Sequence, residues 1–226
     1  MNEFIPGLDL DFINNSDPAN METTIQLLLL LTVLSLAPSI LILMTSFTRI
    51  IIVLSFVRTS LATQQMPPNQ VLIGIALFLT FFIMAPVMHD VNKEAIQPLV
   101  KGEITQKEAF NKGSLPVKEF MAKHTRQKDL MLFLEYSGAK KPESIQDIPL
   151  TTLVPAFAIS ELKTAFQMGF MIFVPFLIID MVVASVLMAM GMMMLPPVMI
   201  SLPFKILLFV LVDGWHLIVK SLLLSY

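Results

Sequence analysis

The sequence predicts an all-α, membrane-associated fold: apolar helical hairpins broken and kinked by prolines, a small helical extracytoplasmic domain between them, and a place in a larger assembly. Three observations predict it. Of 226 residues, 55% are hydrophobic and only 14% charged. The mean hydropathy is +0.76, and the apolar residues lie in long uninterrupted blocks, unlike a soluble domain, in which about a quarter of residues are charged. Finally, prolines recur inside those blocks. Non-helical backbone at membrane depth is tolerated only when it is buried in protein or lines a water-filled cavity, so the chain reads as one subunit of an assembly.

Taken in order, residues 1–22 form a polar acidic tail carrying Glu3, Asp9, Asp11, Asp17 and Glu22 and no Lys or Arg. That is the wrong sign for the n-region of a secretory signal. Residues 23–87 are the first apolar hairpin. Its first block, Thr23–Thr48, is long enough to cross a hydrocarbon core, which takes ~20 helical residues, and Pro38 is expected to kink or break it. Arg49 and Arg58 bracket a further apolar stretch, Ile50–Val57. Pro67 and Pro68 mark the turn, and a second block, Val71–Val87, ends near Pro86.

Residues 88–150 change character. They hold most of the charges, punctuated by Gly102, Gly113, Pro116, Gly138 and Pro142. Phe110, Phe120, Leu130, Phe133 and Leu134 are spaced for short amphipathic helices. Residues 151–226 are the second apolar hairpin. One block, Leu153–Met190, contains Pro155 and Pro175 and the charges Glu161, Lys163 and Asp180. The Gly191–Pro197 loop ends it, and Val198–Leu224 follows with Pro203, Lys205, Asp213 and Gly214. Arg49 and Arg58 put the first connection on the cytoplasmic side by the positive-inside rule, which places the tail and the middle domain outside.

The composition also excludes. With no cysteine there is no disulfide and no thiolate metal site. His89, His124 and His216 stand far apart, without metal-motif neighbours, so no metal or cofactor is expected. A net charge of −2 offers no basic patch for nucleic acid. HExxH, GxSG, GxGD, Walker A and GxGxxG are absent, which leaves an enzyme without a nucleophile or base to work with.

Two features remain to carry function. The first is charge inside apolar blocks. A charge at the bilayer centre costs ~2.5–3.5 kcal/mol even on the lenient insertion scale, so Asp180 and Lys205 are expected to pair, within a chain or between chains, with Glu161 a candidate third member of that network. A transporter would instead use Asp180 as a proton carrier, but the halves show no internal repeat. The second is a methionine cluster, Met188, Met190, Met192, Met193, Met194 and Met199, around Gly191 and two prolines. Methionine is flexible and apolar, and composition leaves core filling and a gate-like gasket equally open.

The stretch Arg49–Val87, RIIIVLSFVRTSLATQQMPPNQVLIGIALFLTFFIMAPV, resembles the N-terminal signature of the FliP family. PAFAISELKTAFQMGF, followed by FLIIDMVVASVLMAMGMMMLPPVMISLPFKILLFVLVDGW, resembles its C-terminal signature. The flagellar branch is the better match, and the virulence (injectisome) branch is the alternative. The resemblance implies a structural, channel-forming subunit of a type III protein export gate, a helical hetero-oligomer in the bacterial inner membrane, at the flagellar basal body. The implied partners are further copies of the chain, FliQ- and FliR-like subunits, FlhB- and FlhA-like components and unfolded secreted substrates. It also implies that Met190, Gly191, Met192, Met193 and Met194 form a channel gasket, and that the apolar hairpins pack largely on neighbouring subunits.

Overall fold

The computed structural model describes residues 18–63, 65–138, 142, 144–192 and 194–226. The acidic tail expected at 1–22 therefore lies outside the described residues as far as Asp17. Every regular element among the described residues is helical. The chain divides into two compact units, Met1–Leu41 and Ile42–Tyr226.

The first helix, α1 (Pro18–Met44), carries leucines such as Leu31 and Leu34 on its exposed surface. It continues unbroken through Pro38, where a kink or break was expected, and ends at Met44. A proline removes one backbone hydrogen bond, which an otherwise apolar helix survives. What ends α1 is the polar run Thr45-Ser46 before α2 (Phe47–Ser60). There the Thr48 hydroxyl donates to the freed Ile42 carbonyl at 2.5 Å, satisfying one of the orphan groups at a helix end.

In α2 the buried residues Phe47, Ile50, Val53, Leu54 and Val57 recur at helical spacing. This stripe packs chiefly on α7 (Leu150–Ala189) and secondarily on α3 (Asn69–Val91). The α2–α7 approach is close because Gly169 sits beneath Phe56. A Cβ at position 169 would lie 2.4 Å from the Phe56 ring, so only glycine fits.

Pro86 does not end α3, nor do Pro155 and Pro175 end α7 or Pro203 end α8 (Pro197–Leu211). α3 runs on through a π-turn, Asn92–Ile96, into α4 (Gln97–Val100), giving a continuous apolar helix over Asn69–Val100. The π-turn points Ala95 at α5 (Gln106–His124), where Gly113 leaves 3.0 Å between its own Cβ position and the Ala95 Cβ. A capping box between Thr105 and Glu108 opens α5. Gly138, at φ +65°, closes α6 (Gln127–Ser137).

The segment read as a separate domain, 88–150, shares its core with the apolar helices. Met84 of α3 and Leu153 and Phe157 of α7 pack with Phe120 and Met121 of α5 and with Ile148. The apolar residues of α5 close on α3 and α7, and those of α6 on α7.

Asn69–Val100 and Leu150–Ala189 are each long and apolar enough to cross a membrane. Two further spans result if each bent pair, Leu34–Met44 with Phe47–Ser60 and Pro197–Leu211 with Gly214–Leu224 (α9), counts as one. The second pair bends by 62° at Val212–Asp213, where Asp213 takes a left-handed φ of 49°. At ~1.5 Å per residue α7 is about 60 Å long, twice a ~30 Å hydrocarbon core. Only 11% of its most apolar window is buried within the chain, so most of that surface is left open by the chain's own helices.

Candidate functional site

The expected ion pair is present within one chain. α7 and α8 form a hairpin, and across it Lys205 Nζ donates to Asp180 Oδ2 at 2.6 Å. Ser201, one turn before Lys205 on α8, donates its hydroxyl to Asp180 Oδ1 at 2.5 Å. Lys205 and Ser201 are buried, whereas the Asp180 side chain keeps 22% of its surface exposed. Both carboxylate oxygens thus have donors, as a partly buried anion requires.

Glu161 does not join this network. It lies on α7 about 28 Å along the helix from Asp180 at ~1.5 Å per residue, too far to share a cation. Its partner is Arg49 of α2. Arg49 Nε donates to Glu161 Oε2 at 2.9 Å, and Nη2 donates to Oε1 in a two-pronged salt bridge. The remaining guanidinium donor, Nη1, reaches the Ser225 carbonyl at 2.9 Å and its hydroxyl at 3.0 Å. Tyr226 completes the cluster. Its hydroxyl donates to Glu161 Oε2 at 2.5 Å, and its ring lies 4.0 Å beneath the guanidinium carbon. Glu161 is fully buried and Arg49 nearly so. The planar guanidinium fork suits this site, since its donors are aimed at fixed acceptors and a flexible ammonium could not match them.

Sequence reasoning missed Ser201, Ser225 and Tyr226 as members of these sites. Ser201 was open to detection, because it stands four residues before Lys205 and so on the same helix face. Ser225 and Tyr226 gave no signal; their role depends on a chain reversal that brings the end of α9 back against α2.

A third polar junction ties α6 to α7. The Ser160 hydroxyl donates to Asp129 Oδ2 at 2.6 Å, and Arg126 Nη2 pairs with the same oxygen at 2.6 Å. The Arg126 amide donates to Ser160 Oγ at 3.0 Å. Burial pushes the Asp129 carboxyl up, but the Ser160 bond and Arg126 outweigh it and hold the group below its ordinary range.

The methionine loop sits at the far end of α7. Met190 is the last helical residue's successor, and Gly191 takes φ +75°. The Gly191 amide donates to the Met188 carbonyl at 3.0 Å, and the Met192 amide to the Leu187 carbonyl at 3.0 Å. This is a Schellman motif, which a left-handed glycine makes easy. Pro196 and Pro197 then start α8, where a missing N–H costs nothing. Met193 lies outside the described residues. Met190, Met192 and Met194 are exposed, Met194 at 98%. Core filling within one chain is therefore not what these three side chains do. Among the described residues no group of three or more His, Cys, Asp or Glu is placed to hold a metal.

Comparison with known proteins bears on this arrangement. The family model described as the FliP family matches residues 30–222. The chain is 74% identical to the flagellar biosynthetic protein FliP of Bacillus subtilis over 226 residues, all of both chains. It is 52% identical to the protein of that name from Aquifex aeolicus over 210 residues, covering 92% of this chain and 87% of the relative. With the Borreliella burgdorferi protein, again a flagellar biosynthetic protein FliP, it shares 48% identity over 225 residues, 97% of this chain and 89% of the other.

Proposed function

This chain belongs to the FliP family, and from that premise we propose that it is a structural, channel-forming and non-enzymatic subunit of the flagellar type III protein export gate. It assembles with further copies of itself and with FliQ- and FliR-like subunits in the bacterial inner membrane, at the flagellar basal body and beside FlhB- and FlhA-like components. Unfolded flagellar proteins pass through the assembly, and the middle segment lies on the extracytoplasmic side.

The observation that carries this reading is the methionine loop: rigid at its helical root and exposed at its tip. The Schellman motif fixes the turn at Met190 and Gly191, while Met192 is about half exposed and the Met194 side chain finds almost no cover in its own chain. Loops from neighbouring copies converging on one axis would bury these thioethers against each other. An apolar ring excludes water and ions by dewetting. Unbranched thioether side chains can fold back around a passing polypeptide of any sequence and close behind it. The Asp180–Lys205 pair, set between α7 and α8 behind the loop, keeps the two arms of the hairpin in register.

The test is to delete Met192–Met194, or replace them with alanine, and measure ion leakage across the membrane once native mass has shown that the complex still forms. Leakage with intact assembly is expected. An assembled complex that stays ion-tight would remove the gasket role.

A further inference from the structure

A dry constriction needs apolar side chains, and leucine is as apolar as methionine. What methionine adds, besides flexibility, is a sulfur lone pair that an oxidant can reach. The chain divides its methionines sharply in this respect. Met84 and Met121 are 2% and 0% exposed and pack with Phe120, Leu153 and Phe157 in the core. At the α7–α8 turn Met192 is about half exposed and Met194 is 98% exposed.

The two groups would answer oxidation differently. An oxygen added to Met121 would place a polar group among aromatic and aliphatic side chains without a donor, which a packed core does not tolerate. An oxygen added to Met194 meets almost nothing in its own chain. The turn beneath it is held by backbone alone, through the Gly191 and Met192 amides and the left-handed Gly191, and none of those bonds involves a thioether. The exposed thioethers therefore stand where oxidation spares the fold. A ring of them closing a channel has water on both of its rims, so a small oxidant reaches it from either side.

We propose that Met192 and Met194 are a site of reversible oxidation by peroxide, and that their sulfoxides open the resting seal to water and ions. The sulfur lone pair attacks one oxygen of hydrogen peroxide and the O–O bond breaks. That oxygen stays on sulfur as the sulfoxide, its proton passes to the departing hydroxide, and water leaves. The thioether loses two electrons and the peroxide gains them. A thiol-dependent reductase reverses the step. The sulfoxide is polar and accepts hydrogen bonds, so a ring that excluded water while it was thioether becomes one that water wets. The effect on the seal rests on the gasket reading; the site of oxidation rests on exposure alone.

The experiment treats the assembled complex in vesicles with hydrogen peroxide, maps added oxygen by peptide mass and follows ion leakage, with native mass as the check on assembly. Met192 and Met194 should gain oxygen at least about tenfold faster than Met84 and Met121. Leakage should rise with their sulfoxide fraction while the complex keeps its mass. A complex carrying Met192→Leu, Met193→Leu and Met194→Leu should not gain leakage on the same treatment. Equal rates at Met194 and Met84 overturn the site. Leakage that rises as much in the leucine complex overturns its role, and so does a complex that falls apart on oxidation, since the thioethers would then be holding subunits together. Full sulfoxide in a complex that stays ion-tight also overturns the role, and the alanine variant of the same loop says how far the failure reaches. If the alanine complex leaks, the gasket stands and only the oxidation switch falls; if it too is tight, the gasket falls with it.

Discussion

The two ends of α7 are built on opposite principles. Near its start the helix is enclosed by α2, α5 and α6, and its one acidic side chain, Glu161, is fully buried with donors on both oxygens. Near its end the helix has α8 as its partner, its acidic side chain Asp180 is partly exposed, and its tip presents bare methionine. At the first end the buried acidic side chain finds all its donors within the chain. The second is satisfied electrostatically but leaves its apolar surface open. One continuous helix therefore joins a base whose acidic side chain is fully buried to a tip whose methionines are open, and this contrast separates what holds the chain from what the proposed gate would use.

The contrast predicts a descending order of effects on the stability of the isolated chain. Glu161→Ala should be the most damaging. It strips Arg49 and Tyr226 of their shared acceptor and leaves a buried guanidinium uncompensated, at a cost of about 3–5 kcal/mol. The check is the thermal unfolding midpoint of the purified chain in detergent; a shift no larger than that of a surface substitution would break the claim that the buried acid holds this end.

Asp180→Asn should cost less, about 1–3 kcal/mol, because the lost carboxylate is partly exposed and the amide can still bond Ser201. Lys205 would be left buried without its counter-ion. A double-mutant cycle with Lys205→Met should recover part of the loss, and full additivity would show that the pair is not coupled.

Met194→Ala should leave the unfolding midpoint of the single chain within about 0.5 kcal/mol of wild type, since the side chain touches almost nothing there. Any destabilisation comparable to Asp180→Asn would mean that the tip packs within its own chain after all.

The Asp180–Lys205 pair was legible in the sequence because each is isolated in an apolar run on either side of a Gly and Pro-Pro turn, and a hairpin brings such positions level. Its intramolecular character was not legible, since a partner on another chain would leave the same pattern. Arg49 and Glu161 are 112 residues apart, and no local rule links them. The helical class and the apolar blocks followed from composition. The break points did not, because a kink or break was expected at Pro38 and a break near Pro86, and the helices continue through both. The polar pair Thr45-Ser46 was the better signal. The middle segment read as a separate domain because its charges are surface charges; its Phe120 and Met121, buried against α3 and α7, are what tie it to the rest.

The unbroken run of α7 from Glu161 to Ala189 has a consequence of angular phase. Each residue of an α-helix turns the chain by about 100°. The direction in which the methionine hairpin faces is therefore set, relative to the Arg49–Glu161 anchor, by the number of residues between them. Adding or removing one residue would swing the hairpin about a quarter-turn around the rod, whereas removing seven would shorten the rod by about 10 Å and return nearly the same azimuth. Between these two points the chain works as a dial as well as a strut, and length changes in multiples of a heptad are the ones it can absorb.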